Sequence, residues 1–382
     1  MALKVAHRGT IPPFIVMDVL RAANARAAAG SDVLHLEVGQ PSTPAPAAVI
    51  EAAQAALRSD RLGYTEALGL SALRARLSSF YRSRYGVDVD AARIVVTTGS
   101  SGAFLLAFLA AFDAGDRVAI TAPSYPAYKN ILTALGIEIV EIAVGAETHF
   151  QPTPELLDRH AGHIDGLIVA SPSNPTGSML SGDALRALSA WCRAHDVRFV
   201  SDEIYHGITY DVSAETAIAS GSDTIVINSF SKYFSMTGWR LGWTVVPDAL
   251  VRPIECLAQN LFVAPPTLSQ LAALAVFGCV DELDDNVARY ARNRGLLMDK
   301  LAAAGFRHIA PPDGAFYLYA DVAHLTNDSA EFCRRMLSEI GVAATPGVDF
   351  DPARGNRTVR FCYAGSEGDV ALAAERLTGW LK

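Results

Sequence analysis

The chain predicts an α/β fold, a mostly parallel sheet covered by helices with a smaller α+β unit attached, and three observations carry the prediction. From residue 93 to residue 230, apolar runs of four to six residues alternate with helical segments, which is the signature of a parallel sheet buried on both faces. Each run ends in glycine or polar residues, and ligands bind beyond the carboxyl ends of such strands. Past Pro253 the sequence turns largely helical, and its tail sets two strand-like runs around one helix.

Taken in order, residues 16–29 have helical character after the Pro12-Pro13 pair, which suits a helix start. Residues 33–38 alternate like a strand and run into the turn signal Gly39-Gln-Pro. Helical periodicity covers 45–58 and 69–85, with Gly63-Tyr64-Thr65 between them. Strands are expected at 94–97, 117–121, 137–142, 166–170, 197–201 and 224–227, with helices at 103–112 and 181–195 among those between. A long amphipathic helix is expected over 282–304, then strands at 314–320 and 358–363 around a helix at 329–340.

The length of 382 residues is enough for two or three units of roughly 100–200 residues. With 51% hydrophobic and 19% charged residues the chain is globular and not disordered. A net charge of −8 without a basic tract argues against nucleic acid as a partner. No apolar run reaches the roughly 18–20 residues that span a bilayer, so no membrane partner is expected. Basic residues in 1–10 are not followed by an apolar stretch, and the expected location is the cytoplasm. Cys192, Cys256, Cys279, Cys333 and Cys362 are odd in number and widely spread, which predicts buried free thiols and no structural zinc site.

The strand ends carry the chemistry. Lys232 has one charged neighbour, Asp223, in the ten residues before it and none after it until Arg240. A lysine in such surroundings loses its charge by desolvation, and a neutral amine attacks carbonyls, so Lys232 reads as a Schiff-base lysine. Gly99-Ser100-Ser101-Gly102 lies between a strand and a helix, where backbone N–H groups and hydroxyls make an anion site. Taken alone, such a turn is more often only a turn, and Asn174 in Ser171-Pro-Ser-Asn-Pro-Thr-Gly is open to the same reading. Asp202 closes a buried run with Tyr205 one helical turn on; a buried carboxylate needs a cation, although a helix cap is an equal alternative. The nine histidines, His7 and His163 included, show no ligand spacing and are expected to be surface or structural. The acidic stretch 281–285 reads as a solvated helix start, and Trp239 and Trp243 as packing.

The combination is more specific than its parts. Gly39-Gln-Pro, Tyr64-Thr with Gly69, P-S-Y-P at 123–126, S-P-S-N-P-T-G at 171–177, S-D-E-I-Y at 201–205, S-F-S-K at 229–232, G-W-R-L-G at 238–242, G-A-F-Y at 314–317 and V-R-F-C-Y-A at 359–364 follow in one order. In these motifs nearly the whole chain resembles the fold-type I pyridoxal-phosphate enzymes, specifically the class I and II aminotransferases. The resemblance implies a large domain with a mostly parallel seven-stranded sheet over 46–275. It also implies a small α+β domain over 276–382, joined by the N-terminal segment 1–45. The implied activity is ping-pong transfer of an amino group from an L-amino acid to a 2-oxo acid.

The resemblance also implies site roles. Lys232 would hold pyridoxal 5'-phosphate and then move the substrate proton. Asp202 would pair with the ring nitrogen, Tyr205 and Asn174 with the phenolic oxygen, and Tyr125 would stack on the ring. Ser100, Ser101, Ser229 and Arg240 would hold the phosphate, Arg240 as a bidentate fork. Tyr64 would reach the phosphate of a neighbouring subunit, so a homodimer with shared sites is implied. Arg360 would clamp the substrate carboxylate beside the backbone of Gly39, although an arginine on a strand can also lie at the surface. Some relatives that use aspartate carry lysine where this chain has Ser101, so a strict aspartate preference is not expected. A C–S β-lyase of the same fold is the leading alternative. A ligand-sensing domain is another, but it expects a DNA-binding domain ahead, and the first motif already stands at Gly39. A purely structural role would leave Lys232 an ordinary buried lysine.

Overall fold

The computed structural model describes residues 3–160, 162, 164–306 and 308–381; His163 and the side chain of His7 lie outside that description. The strands are β1 (Leu34–His35), β2 (Ile94–Thr97), β3 (Arg117–Ala122), β4 (Glu138–Ala143), β5 (Gly166–Ala170) and β6 (Arg198–Asp202). They continue with β7 (Ile225–Ser229), β8 (Gly242–Val245), β9 (Tyr317–Asp321), β10 (Val342–Ala343), β11 (Thr345–Pro346) and β12 (Thr358–Cys362). Seven form the main sheet in the order β2-β8-β7-β6-β5-β3-β4. All neighbours pair parallel except those of β8, which runs against both β2 and β7.

Each predicted strand of this sheet is present within a residue or two of its expected ends. Their residues alternate between two cores: Val95, Val118, Ile120, Ile168, Val200, Ile225 and Ile227 pack on one face. Val96, Ala119, Leu167, Val169, Phe199 and Val226 pack on the other. Burial on both faces is why these runs show no polar alternation. The sequence did not predict β8, because its Gly-Trp-Thr-Val follows directly on the Arg240 motif and is only four residues long. All four are buried, and Trp243 packs against Phe80, Phe230 and Phe234.

Two other elements differ from expectation. The strand expected at 33–38 shrinks to β1, which pairs parallel with β10. Beyond it the backbone is spent on tertiary contacts, with the Leu36 carbonyl accepting from Cys362 and the Glu37 carbonyl from Thr345 and Arg360. The helix expected from 103 starts at Gly99, so Gly-Ser-Ser-Gly forms its first turn.

A second sheet, β11-β12-β9, is antiparallel and three-stranded. Arg360 lies on its middle strand between Thr345 and Tyr319. The surface alternative for Arg360 is therefore overturned, for the residue is 2% exposed. The long helix Val280–Ala303 begins with Asp281 and Glu282 exposed, as expected of a solvated start. All five cysteines are free, but only Cys192, Cys333 and Cys362 are buried; Cys256 and Cys279 are half-exposed, which corrects the expectation for those two. Among the described residues no helix is long and apolar enough to cross a membrane, and no acidic, His or Cys group could hold a metal ion.

Candidate active site

The carboxyl ends of β6 and β7 lie side by side, Asp202 in register with Ile227, and the strand order brings the helix Gly99–Ala111 against β7 and β8. Asp202 is 3% exposed. Its Oδ2 accepts the phenol proton of Tyr128, and its Oδ1 accepts the N–H of Ile204 at 3.1 Å. Burial pushes its pKa up to about 6, against these two hydrogen bonds and the charge of Lys232, which favour the anion. Tyr128 was not among the sequence candidates, although the signal was present. It stands three residues after Tyr125, the N-cap of the helix Pro126–Leu135, and i, i+3 residues share a helix face. The half-buried Tyr125 sets its ring edge-on to Tyr128 at 5.4 Å and to Phe14 at 5.6 Å.

Lys232 follows β7 and is half-buried. Its Nζ donates to the carbonyl of Gly39 at 2.6 Å and lies 5.9 Å from the centre of the Tyr205 ring. Burial brings its pKa down to about 8; Arg360 and Arg240 push the same way, while Cys362 and Asp202 push back. Tyr205 is buried, and its hydroxyl meets that of Tyr317 at 2.7 Å. The Tyr317 hydroxyl in turn occupies the space beside Gly39, since a Cβ on Gly39 would stand 1.7 Å from it. No side chain fits at position 39. Tyr317 closes the G-A-F-Y motif, which the sequence reading leaves without a role.

Arg360 donates from Nη1 to Asn174 Oδ1 at 2.8 Å, and from Nη2 to Thr345 Oγ1 at 3.2 Å and to the Glu37 carbonyl. Its guanidinium is sandwiched between the rings of Tyr317 and Phe350, 4.4 and 4.7 Å from their centres. Among the described residues no carboxylate forms an ion pair with it, and its buried Nε has no partner. A buried cation held only by neutral groups suits an anion brought from outside the chain.

A second group of residues suited to an anion lies at the helix Gly99–Ala111. Ser100 is half-buried and Ser101 exposed in its first turn. The exposed Arg240 has a positive φ of 52° and donates from Nη1 to the Thr237 carbonyl at 3.0 Å. A Cβ on Gly99 would stand 2.6 Å from Arg240 Nη2, so the guanidinium lies directly against the helix N-terminus. The Ser229 hydroxyl is buried and partners Ser231 Oγ at 2.9 Å and the Leu241 carbonyl at 3.2 Å. Tyr64 is 86% exposed.

The family model for aminotransferases of class I and II matches residues 31–377. The chain belongs to that family. It is 49% identical to the valine–pyruvate aminotransferase of Mycobacterium tuberculosis over 385 residues, covering 100% of this chain and 99% of the relative. It is 31% identical to the aspartate aminotransferase of Geobacillus stearothermophilus, covering 98% of each. A crystal structure of an aminotransferase from Mycobacterium tuberculosis superposes with a TM-score of 0.97 at 49% identity, covering 100% of this chain and 99% of that one. The aspartate aminotransferase of Thermus thermophilus with maleate superposes with a TM-score of 0.93 at 31% identity, covering 99% and 100%.

The protein is thus a pyridoxal-phosphate-dependent aminotransferase that moves amino groups to oxo acids. Its side chains suit that cofactor in charge and in kind: a buried carboxylate for a cationic ring nitrogen, an amine with a lowered pKa for an aldehyde, and a helix N-terminus with an arginine for a phosphate.

Proposed function

We propose that this aminotransferase takes an apolar L-amino acid as donor, of the valine or alanine kind, and a small 2-oxo acid such as pyruvate as acceptor. The observation that carries the reading is the 49% identity over the whole chain with a valine–pyruvate aminotransferase. Within the chain, Arg360 and Arg240 both act on Lys232. In our assignment Arg360 takes the substrate carboxylate and Arg240 the phosphate, which leaves neither for an acidic side chain. Phe14 against Tyr125 adds an apolar wall nearby.

The geometry supports the roles that the family resemblance implies. Pyridoxal phosphate, when bound, supplies a conjugated ring able to take up an electron pair from the substrate's α-carbon. Asp202 holds the ring nitrogen protonated, and Tyr128 keeps Asp202 ionised. Lys232 binds the cofactor and, once free, carries the proton off the α-carbon; its lowered pKa keeps a fraction of it neutral for that work. Tyr205 and Asn174 serve the phenolic oxygen, Tyr125 the ring face, and Ser100, Ser101, Ser229 and Arg240 the phosphate. Asn174 and the Gly39 backbone also lie beside the substrate carboxylate at Arg360.

We assign residues 46–275 to a large domain, and 276–382 with the segment 1–45 to a small one. We further propose a cytoplasmic homodimer in which Tyr64 serves the partner's phosphate. Five thiols without a disulfide suit a reducing compartment, and the exposure of Tyr64 suits a residue that works on another chain.

A half-reaction screen tests the substrate reading. The holoenzyme is mixed with single amino acids without acceptor, and the absorbance of the lysine-bound cofactor is followed. Valine and alanine are expected to discharge it fastest. Faster discharge by aspartate or glutamate would overturn the assignment, and pyruvate and ammonia released from cystathionine would favour a lyase.

A further inference from the structure

Asp202 and Glu203 are consecutive at the end of β6, and neighbouring side chains of an extended chain leave on opposite faces. Asp202 turns to Tyr128. Glu203 turns away and is 1% exposed. Its Oε1 accepts three hydrogen bonds: from the N–H of Ala217 at 2.7 Å, Thr216 Oγ1 at 3.1 Å and Ser201 Oγ at 3.2 Å. Its Oε2 is buried, accepts none, and lies 3.5 Å from Nδ1 of His206.

The partners of His206 decide what Oε2 meets. Nε2 lies 3.0 Å from the carbonyl oxygen of Ser171, which can only accept, so Nε2 carries the hydrogen. Nδ1 lies 2.9 Å from the Tyr85 hydroxyl. Burial drives the pKa of His206 down to about 3, so the ring is neutral and Nδ1 presents a lone pair. In that tautomer the Tyr85 hydroxyl donates to Nδ1, so an ionised Glu203 would hold a buried charged oxygen beside the nitrogen with no donor of its own. A proton on Oε2 removes that charge and can share the Nδ1 lone pair with the Tyr85 hydroxyl.

We propose that Glu203 is a neutral carboxylic acid in the working enzyme, a positioning residue held by His206 that leaves Asp202 the sole anion at the end of β6. Two adjacent acids thereby take opposite protonation states. The Asp202 charge is then reserved for the ring nitrogen, a step that rests on the role proposed above for Asp202.

Electrostatics agree with the geometry. Burial raises the pKa of Glu203 to about 8 despite its three hydrogen bonds, and the neighbouring Asp202 charge adds to the rise. From the helix Ser71–Tyr85, Tyr81 and Tyr85 feel Glu203 and are themselves raised, chiefly by burial. Arg84 acts on Tyr85 and His206 but is exposed to water, and Tyr233 acts on Tyr85.

The sign of the pH effect follows. With a folded pKa near 8 against 4.5 for an ordinary glutamate, the stability Glu203 contributes is complete below about pH 4.5 and is lost as pH rises through about 8. Glu203→Gln mimics the neutral acid, keeping an acceptor for Ala217 and gaining a donor toward His206. In the infrared difference between wild type and E203Q apoprotein at about pH 6, a protonated-carboxyl band is expected. Carboxylate bands in its place would overturn the proposal. The unfolding midpoint of the wild type is expected to fall against that of E203Q between about pH 5 and 9. Parallel curves would overturn it too. If E203Q does not fold, isotope-labelled glutamate in the wild type reports the same band through a pH titration. In the holoenzyme, the absorbance titrations of wild type and E203Q are expected to coincide below about pH 7 and to part above it. Parting already at about pH 6 would refute the neutral acid. Unchanged cofactor binding after Asp202→Asn would strike only the role of Asp202.

Discussion

Tyr128 gives its phenol proton to Asp202, and that bond works against the burial that would otherwise neutralise the carboxylate. A hydrogen bond to a charged group contributes about 1.5–3 kcal/mol, or about one to two pH units of carboxylate titration. Tyr128→Phe is therefore expected to move the Asp202 pKa upward from about 6. The acid limb of cofactor affinity, measured by equilibrium binding across pH, should shift to higher pH by about one unit or more. A limb that stays in place, or moves down, would show that the phenol does not govern the charge. Both Tyr128 and Tyr317 escaped the sequence reading for one reason. Their positions in P-S-Y-P-A-Y and G-A-F-Y are legible, but what they touch lies 74 and 112 residues away, at Asp202 and Tyr205.

At the scale of elements, the parallel strands were legible because each is a short apolar run whose end coincides with a polar residue. The strand β8 was not, since four residues flanked by a motif and a proline carry too little periodicity to register. Arg360 shows the same limit from the other side. Its neighbours Val359 and Phe361 marked one buried face, and the other is covered by Tyr317, Phe350 and Asn174, which the sequence does not place beside Arg360. The helix Gly99–Ala111 depends on its first residue in two ways: Gly99 has a φ of +69°, and Arg240 fills the space where a Cβ would stand. Gly99→Ala should cost about 1–2 kcal/mol from backbone strain alone and should also push the guanidinium away from the helix end. The expected outcome is faster loss of cofactor on dialysis, with the far-ultraviolet circular dichroism preserved. Retention equal to the wild type would show that Arg240 does not need the helix terminus.

At the scale of the whole molecule, the proposed site draws on positions from Gly39 to Arg360, so nearly the full chain must be folded before the cofactor is held. The proposed sharing of sites can be tested with mixed dimers. Lys232→Ala and Tyr64→Ala, each crippling as a homodimer, are expected to regain activity when each subunit of a mixed dimer carries one of them. A dimer with both changes on one subunit keeps Lys232 of the wild-type subunit but lacks the Tyr64 that should serve it, whereas a dimer with one change on each subunit retains one complete site. Sharing therefore predicts that the split arrangement is the more active of the two. Equal activities would mean that Tyr64 serves no site, and a more active dimer with both changes on one subunit would mean that it serves its own.

The contact of the Tyr317 hydroxyl with both Tyr205 and the backbone of Gly39 binds three distant segments into one joint. For anyone redesigning this enzyme it sets an order of operations. Enlarging residue 39 is closed off until Tyr317 has been shortened, and shortening Tyr317 strips Tyr205 of its partner and Arg360 of one stacking face. The two changes cannot be scored separately and summed. A library that varies positions 39 and 317 together can reach substrates that single-site scanning of either position would report as inaccessible.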